Sequence, residues 1–194
     1  MMNGKDTPKR KILVTGGAGY IGSHTVKELV KRGYDVTVLD NLSNGNMTSL
    51  DGVKYIEGDI GDYDKVNKLL QSEEIDAVIN FAALAYVGES VTNPRKYYDN
   101  NVVKGKAFLD AVVDSGVKKI VFSSSCATYG IPEKVPISED EKQRPVNPYG
   151  WTKLMFEQMM KDYDEAYGLR YISLRYFNAA GADADGSIGE MHDP

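Results

Sequence analysis

A run of small residues, Val14-Thr15-Gly16-Gly17-Ala18-Gly19-Tyr20-Ile21-Gly22, leaves a short apolar stretch at residues 11–14 and enters a helical pattern at Tyr20. Strand, glycine turn and helix in that order constrain the fold more than any other feature of the chain. Two spacings overlap there, Gly17-x-Gly19-x-x-Gly22 and Gly16-x-x-Gly19-x-x-Gly22. Both leave backbone without a Cβ where a diphosphate must lie against a helix N-terminus. A bare glycine pattern is weak evidence, but this one has the flanking elements that dinucleotide binding requires.

At 194 residues and 42% hydrophobic, the chain fits one domain with a substantial core. The net charge of −5 is mild and both signs are spread along the sequence, which argues against nucleic acid and anionic membrane as partners. Cys126 is the one cysteine, so neither an internal disulfide nor a cysteine metal cluster can form. His24 and His192 lack ligand-like neighbours, and a metal site is not expected. No apolar run approaches the ~20 residues of a membrane span, and the polar residues 1–10 resemble a disordered tail rather than a signal sequence. A cytoplasmic location is expected.

Taken in order, the chain alternates strands and helices. A strand at residues 11–14 precedes a helix from Tyr20 with Ile21, Val26, Leu29 and Val30 on its inner face, ended by Gly33. A second strand, at residues 35–40, stops at Asp40, 24 positions after Gly16, near the spacing at which a carboxylate meets an adenosine ribose. A carboxylate there would repel a 2′-phosphate, favouring NAD over NADP. Strands at residues 53–57, 76–81, 119–122 and 170–175 follow, with helices at Val66-Leu69-Leu70, from Pro94 to near Gly116, and from Asn147-Pro148 to about Tyr167. Asp59 either accepts from an adenine amine, with Ile60 on the ring, or caps the helix after it. Asn100 and Asn101 fall inside the fourth crossover helix, where an amide pair either fills a solvent-facing turn or holds buried backbone. Residues 130–147 form a long irregular loop, and residues 182–194 have no partner element. The expected fold is α/β, a doubly wound parallel sheet in the order 3-2-1-4-5-6, a Rossmann NAD-binding domain.

Chemistry concentrates at Ser123-Ser124-Ser125, delivered to the carboxyl end of the sheet, and at Tyr149 and Lys153, four apart on one helix face. An ammonium beside the phenol would lower its pKa from about 10 and make Tyr149 a general base. The Ser125 hydroxyl would bond the same substrate oxygen, while a carbon-bound hydrogen leaves as hydride to a nicotinamide. A serine-hydrolase reading fails for want of a suitably placed histidine.

These residues, together with Asp40-Asn41-Leu42, Gly58-Asp59-Ile60, Asn80-Phe81-Ala82-Ala83, Val87-Gly88-Glu89-Ser90, Tyr98-Asp99-Asn100-Asn101-Val102 and Leu174-Arg175-Tyr176-Phe177-Asn178-Ala179-Ala180-Gly181, resemble the extended short-chain dehydrogenase/reductases, in their UDP-sugar 4-epimerase branch. The resemblance runs from Lys11 to the end of the chain. It implies NAD as cofactor, surrounded by Gly16, Gly19, Tyr20, Ile21, Gly22, Asp40, Asn41, Asp59, Ile60, Phe81, Ala82, Ala83, Asn100, Tyr149, Lys153 and Phe177. It implies Ser125, Tyr149 and Lys153 as catalytic residues and Ser125, Tyr149 and Asn178 as contacts to a UDP-sugar. The implied reaction oxidises sugar C4 to a ketone and reduces it on the opposite face, and the implied assembly is a homodimer. Ala85 stands where some members carry a lysine near the cofactor. The implied division is a cofactor domain at 11–181 and, at 182–194, the start of a truncated substrate-binding region. A 4,6-dehydratase would need an acid pair where this chain has Cys126 and Ala127. Epimerases for other UDP-sugars, and an NAD-binding module without turnover, stay open at this point.

Overall fold

A computed structural model describes residues 9–50 and 52–191; the expected tail before Lys9 and His192 lie outside them. Six parallel strands form one sheet in the order β3-β2-β1-β4-β5-β6, as the alternating pattern requires. They are β1 (Lys11–Thr15), β2 (Asp35–Asp40), β3 (Lys54–Glu57), β4 (Ala77–Asn80), β5 (Lys119–Ser125) and β6 (Arg170–Tyr176). The helices are α1 (Tyr20–Lys31), α2 (Tyr63–Ser72), α3 (Val87–Thr92), α4 (Pro94–Tyr98), α5 (Lys104–Asp114) and α6 (Pro148–Tyr167).

Successive strand residues point to opposite faces, and the core divides accordingly. Ile12, Val14, Val36 and Val38 pack with Val26 of α1 on one face. Leu13, Leu39, Val78, Ile120 and Phe122 pack on the other with Val66 and Leu70 of α2, Phe108 and Val112 of α5, and Phe156 and Met160 of α6. Both layers leave the carboxyl ends of the strands open, where ligands bind in such sheets.

Four local expectations need correction. β5 is longer than the apolar run and carries the chain to Ser125, because it pairs with β6 through Ser125↔Tyr176. The helix expected from Pro94 to Gly116 is interrupted by a π-helical turn at Asp99–Val103, which carries the asparagine pair, and a short helix, α3, precedes it. Asp59 does not cap α2; Asp62 does, its carboxylate accepting Lys65 N–H at 3.1 Å. The segment after β6 has a partner: Lys27 of α1 meets Asp185 at 2.6 Å and Asp183 at 3.0 Å, and Tyr20 donates its hydroxyl to Gly181 O at 2.6 Å. These polar anchors, with buried Ile188, replace the apolar periodicity from which a docked segment is usually read. No described helix is long and apolar enough to cross a membrane.

Candidate active site

The glycine turn is built from close approaches that side chains would block. Gly16 has φ +70°, and a Cβ there would lie 2.6 Å from Ala82 N; a Cβ on Gly22 would lie 2.2 Å from Gly16 O. Gly19 differs, because its Cβ would meet nothing closer than Gly16 O at 3.4 Å, an ordinary contact. The protein itself tolerates a side chain at Gly19, which lines the cleft. Gly19 also stands at the N-cap of α1 with no side-chain cap, and the first turn carries no acid. The positive end of a 12-residue helix therefore faces a space kept clear for an anion.

That space is a cleft of about 100 Å³, open to solvent. Of the residues singled out from sequence, Gly16, Gly19, Asp40, Asn41, Asp59, Ile60, Phe81, Ala82, Ala83 and Asn100 line it. Tyr20 borders an adjoining hollow with Gly19 and Asn44. Ile21 and Gly22 lie in the first turn of α1, behind the wall. The exposed Phe177 and its neighbour Asn178, past the end of β6, do not line the cleft.

Asp40, at the carboxyl end of β2, accepts Ala18 N–H at 3.0 Å and Leu42 N–H at 2.8 Å, so it braces the glycine turn from within. Asp59 accepts from Lys104 Nζ at 2.7 Å, Gly61 N–H at 2.8 Å and Asn41 Nδ2 at 3.2 Å. Burial pushes the Asp59 carboxyl up, but Lys104 and the Gly61 N–H outweigh it and hold the group below its ordinary value. At the end of β4, Asn80 Oδ1 accepts both the Thr15 hydroxyl at 2.8 Å and Ala82 N–H at 3.0 Å, fixing the wall opposite the glycines.

The second half of the site is drier. Asn147 caps α6 through Gly150 N–H at 2.8 Å and Pro148 occupies its first turn, as expected, placing Tyr149 and Lys153 inward; both are buried. Lys153 Nζ donates to Ser123 O at 2.7 Å, lies 4.8 Å over the Phe122 ring and is 5.7 Å from the Tyr149 ring centre. Burial pushes Lys153 down to about 7 against the opposing charge of Glu157. Tyr149 runs contrary to the sequence expectation. Burial raises its phenol above the ordinary value and outweighs the hydrogen bond from the Ser125 hydroxyl, which works the other way. Burial is the first cause, and Lys153, 5.7 Å from the Tyr149 ring centre and donating to Ser123 O, is not among the groups that shift the phenol. A small cavity beside Lys153, about 10 Å³ and so roomy enough for a single water, shares Ile60, Ala82 and Ala83 with the cleft, so the two halves abut.

Several supporting residues were not assigned from sequence. Buried Ser90 accepts Tyr149 N–H at 3.2 Å and donates to Val87 O at 2.6 Å. Asn101 accepts Leu84 N–H at 2.9 Å and donates to Leu84 O at 3.0 Å and Thr152 Oγ1 at 3.1 Å, settling the asparagine pair as a brace for buried backbone. The signal for Asn101 was a poor helix former at mid-helix; that for Ser90 was its place in the Val87-Gly88-Glu89-Ser90 run. Glu157 carried no signal.

Fold, glycine turn and the Ser-Tyr-Lys group together define a class. The chain belongs to the NAD dependent epimerase/dehydratase family, which it matches over residues 12–192. It is similar to the UDP-glucose 4-epimerase of Lactobacillus helveticus, 57% identical over 185 residues covering 95% of this chain and 56% of the relative. Among solved structures it is similar to the UDP-glucose 4-epimerase of Brucella ovis in complex with NAD, with a TM-score of 0.94, 53% identity, and 95% of this chain on 57% of that one. The Bifidobacterium longum UDP-glucose 4-epimerase in complex with NAD+ and UDP gives 0.90 and 41%, with 93% of this chain on 57% of that one. The chain spans a little over half the length of the curated relatives it matches.

Proposed function

We propose that this chain carries the cofactor-binding and proton-transfer half of a UDP-glucose/UDP-galactose 4-epimerase, with NAD as its cofactor. The observation that carries the reading is the abutment of two halves: a glycine cleft with an uncapped helix N-terminus, and an inner cavity lined by Lys153, the helix-mate of Tyr149, that shares Ile60, Ala82 and Ala83 with it. The residues fit NAD. Gly19 leaves room for the diphosphate at the Tyr20 and Ile21 end of α1, and Asp40 with Asn41 suits the adenosine ribose. Asp59 and Ile60 suit adenine, and Phe81, Ala82, Ala83 and Asn100 continue the wall. Phe177 and Asn178 belong to the same reading, as residues toward the nicotinamide and the UDP-sugar.

NAD, when bound, takes up the hydride from sugar C4 and returns it to the opposite face. Tyr149 removes the 4-hydroxyl proton, holds it at its phenolic oxygen while the sugar is a ketone, and gives it back. Ser125 donates to the same sugar oxygen. Lys153 holds the end of β5 through the Ser123 carbonyl and, when protonated, places a positive charge 5.7 Å from the Tyr149 ring centre that favours the phenolate. In this reading residues 11–181 are the cofactor domain and 182 onward begins a substrate-binding region. A cytoplasmic place in galactose metabolism and a homodimeric assembly complete it.

The test is absorbance in the NADH band of the chain with saturating NAD, before and after adding UDP-galactose or UDP-glucose. A rise followed by appearance of the other epimer is expected. No rise, with NAD shown bound by titration, would leave the chain a cofactor-binding module without turnover. Absence of NAD binding would remove the reading altogether.

A further inference from the structure

Helix α6 presents Tyr149, Lys153 and Glu157 at four-residue spacing, one stripe along one face. Each member meets one of three consecutive serines at the end of β5. Tyr149 feels the Ser125 side chain, which opposes the rise of its phenol, Lys153 donates to the Ser123 carbonyl at 2.7 Å, and Glu157 accepts the Ser124 hydroxyl. Glu157 is 8% exposed and is held from three further donors: Arg175 Nη2 at 2.8 Å, Arg175 Nε at 3.1 Å and Gln143 Nε2 at 3.2 Å. Arg175 is the β6 residue in register with Ser124, and it also donates to the Tyr129 hydroxyl at 2.8 Å. One buried carboxylate thus joins α6, β5, β6 and the loop at residues 130–147.

An ion pair with one buried and one partly exposed member is a poor device for stability alone, since desolvating the Glu157 carboxylate costs several kcal/mol, roughly what the attraction of Arg175 returns. Its specific geometry is what an apolar pair would not reproduce. Neither Glu157 nor Arg175 lines the cleft or the inner cavity. We propose that Glu157 is a positioning residue, locking the serine end of β5, the Tyr149–Lys153 helix and the 130–147 loop into one register. The proposal rests on the reading of Ser125, Tyr149 and Lys153 given above. The charged group that acts on Lys153 is Glu157 on its own helix, with Arg175 beyond Glu157 on β6 and the Tyr149 ring 5.7 Å from the ammonium; Cys126, past the end of β5, acts on Tyr149. Burial would raise the Glu157 carboxyl, but Arg175, Ser124 and Gln143 hold it below its ordinary value, so it stays charged beside Lys153.

The test follows the Lys153 ammonium by NMR of isotope-labelled lysine, where a midpoint near 7 separates it from ordinary lysines. Glu157→Gln keeps the shape and removes the charge. The variant is expected to fold, to bind NAD within about twofold of the native chain, and to lower the Lys153 midpoint by roughly one pH unit. Trypsin should cut about tenfold faster at Lys134 and Lys142 in the released loop. Glu157→Asp should return the midpoint to within about a few tenths of native. An unchanged midpoint in folded Glu157→Gln, or a fall that aspartate does not restore, would overturn the proposal. Should Glu157→Gln not fold, Gln143→Ala, which removes only the loop's donor to Glu157, decides: faster cleavage at Lys134 supports the proposal, and native resistance to trypsin overturns it. The native chain's response to UDP-sugar tests the function separately, because the lysine titration needs no turnover.

Discussion

At the Asp40–Asp59 end of the site, carboxylates edge an open cleft and are met by backbone N–H groups and a partly exposed lysine. At the Tyr149–Lys153–Glu157 end the ionisable groups are nearly dry, and each is met by a partner from another element. At the first end the carboxylates accept mainly from backbone N–H groups, for which a neutral acceptor can stand in, so withdrawing a charge while keeping an acceptor leaves the shape standing. In the second, charge and shape are the same thing, and a single substitution propagates.

The largest expected contrast comes from Tyr149→Phe. The ring keeps its packing against Leu84 and Tyr97, so NAD affinity should stay within about twofold. UDP-sugar-dependent reduction should fall by about a thousandfold, the scale of a lost general base. Unchanged reduction would remove Tyr149 from the chemistry and with it the distinction between the two ends.

Lys153 sharpens the comparison through pH. Its folded value near 7 lies below the ordinary lysine value of 10.5, so between these limits the unfolded chain binds more protons. Stability due to this group therefore rises from pH 7 toward 10.5, and the penalty is fully present below 7. Lys153→Met abolishes that rise. Denaturant unfolding of both proteins at pH 6.5 and 9.5 should show the native chain gaining on the variant at the higher pH, on the order of 1 kcal/mol or more. A constant difference would mean that Lys153 is hydrated and the dry end is not dry.

Asp40 tests the open end. Asp40→Ala should weaken NAD about tenfold to a hundredfold, measured by titration, while improving the relative tolerance of NADP. Asp40→Asn keeps an acceptor for Ala18 N–H and separates bracing of the turn from contact with the ribose. Equal affinities before and after either change would sink the ribose assignment.

The same contrast explains what was legible in the sequence. Glycine spacing, the strand-terminal Asp40 and the Asn147-Pro148 cap are local, and backbone geometry answers to local residue type. Strand order followed because parallel crossovers leave few choices. The phenol's raised pKa was not legible, because it comes from burial of the ring by residues distant in sequence, Leu84 and Tyr97 among them. Glu157 was silent for the same reason. Its four donors come from residues 124, 143 and 175, and no spacing within α6 announces them. The docked segment after β6 was missed because Lys27, Asp183 and Asp185 form an ordinary surface cluster until the fold brings them together.

The smallest effect is expected at Lys104, and it bears most directly on the contrast. Its pair with Asp59 measures 2.7 Å, shorter than some contacts of Glu157, but its side chains are 34% and 32% exposed. Water screens such a pair, and exposed pairs contribute about 0.2–1 kcal/mol. Asp59 also keeps Gly61 N–H and Asn41 Nδ2 when the ammonium is gone. Lys104→Met retains the aliphatic stem that packs where a Gly61 side chain would stand, so only the charge is withdrawn. NAD affinity should change by less than about threefold and unfolding free energy by less than about 1 kcal/mol, with the difference shrinking further in high salt. A loss beyond about tenfold would show that proximity, not burial, governs both ends, and the pair at Glu157 would then need no separate explanation.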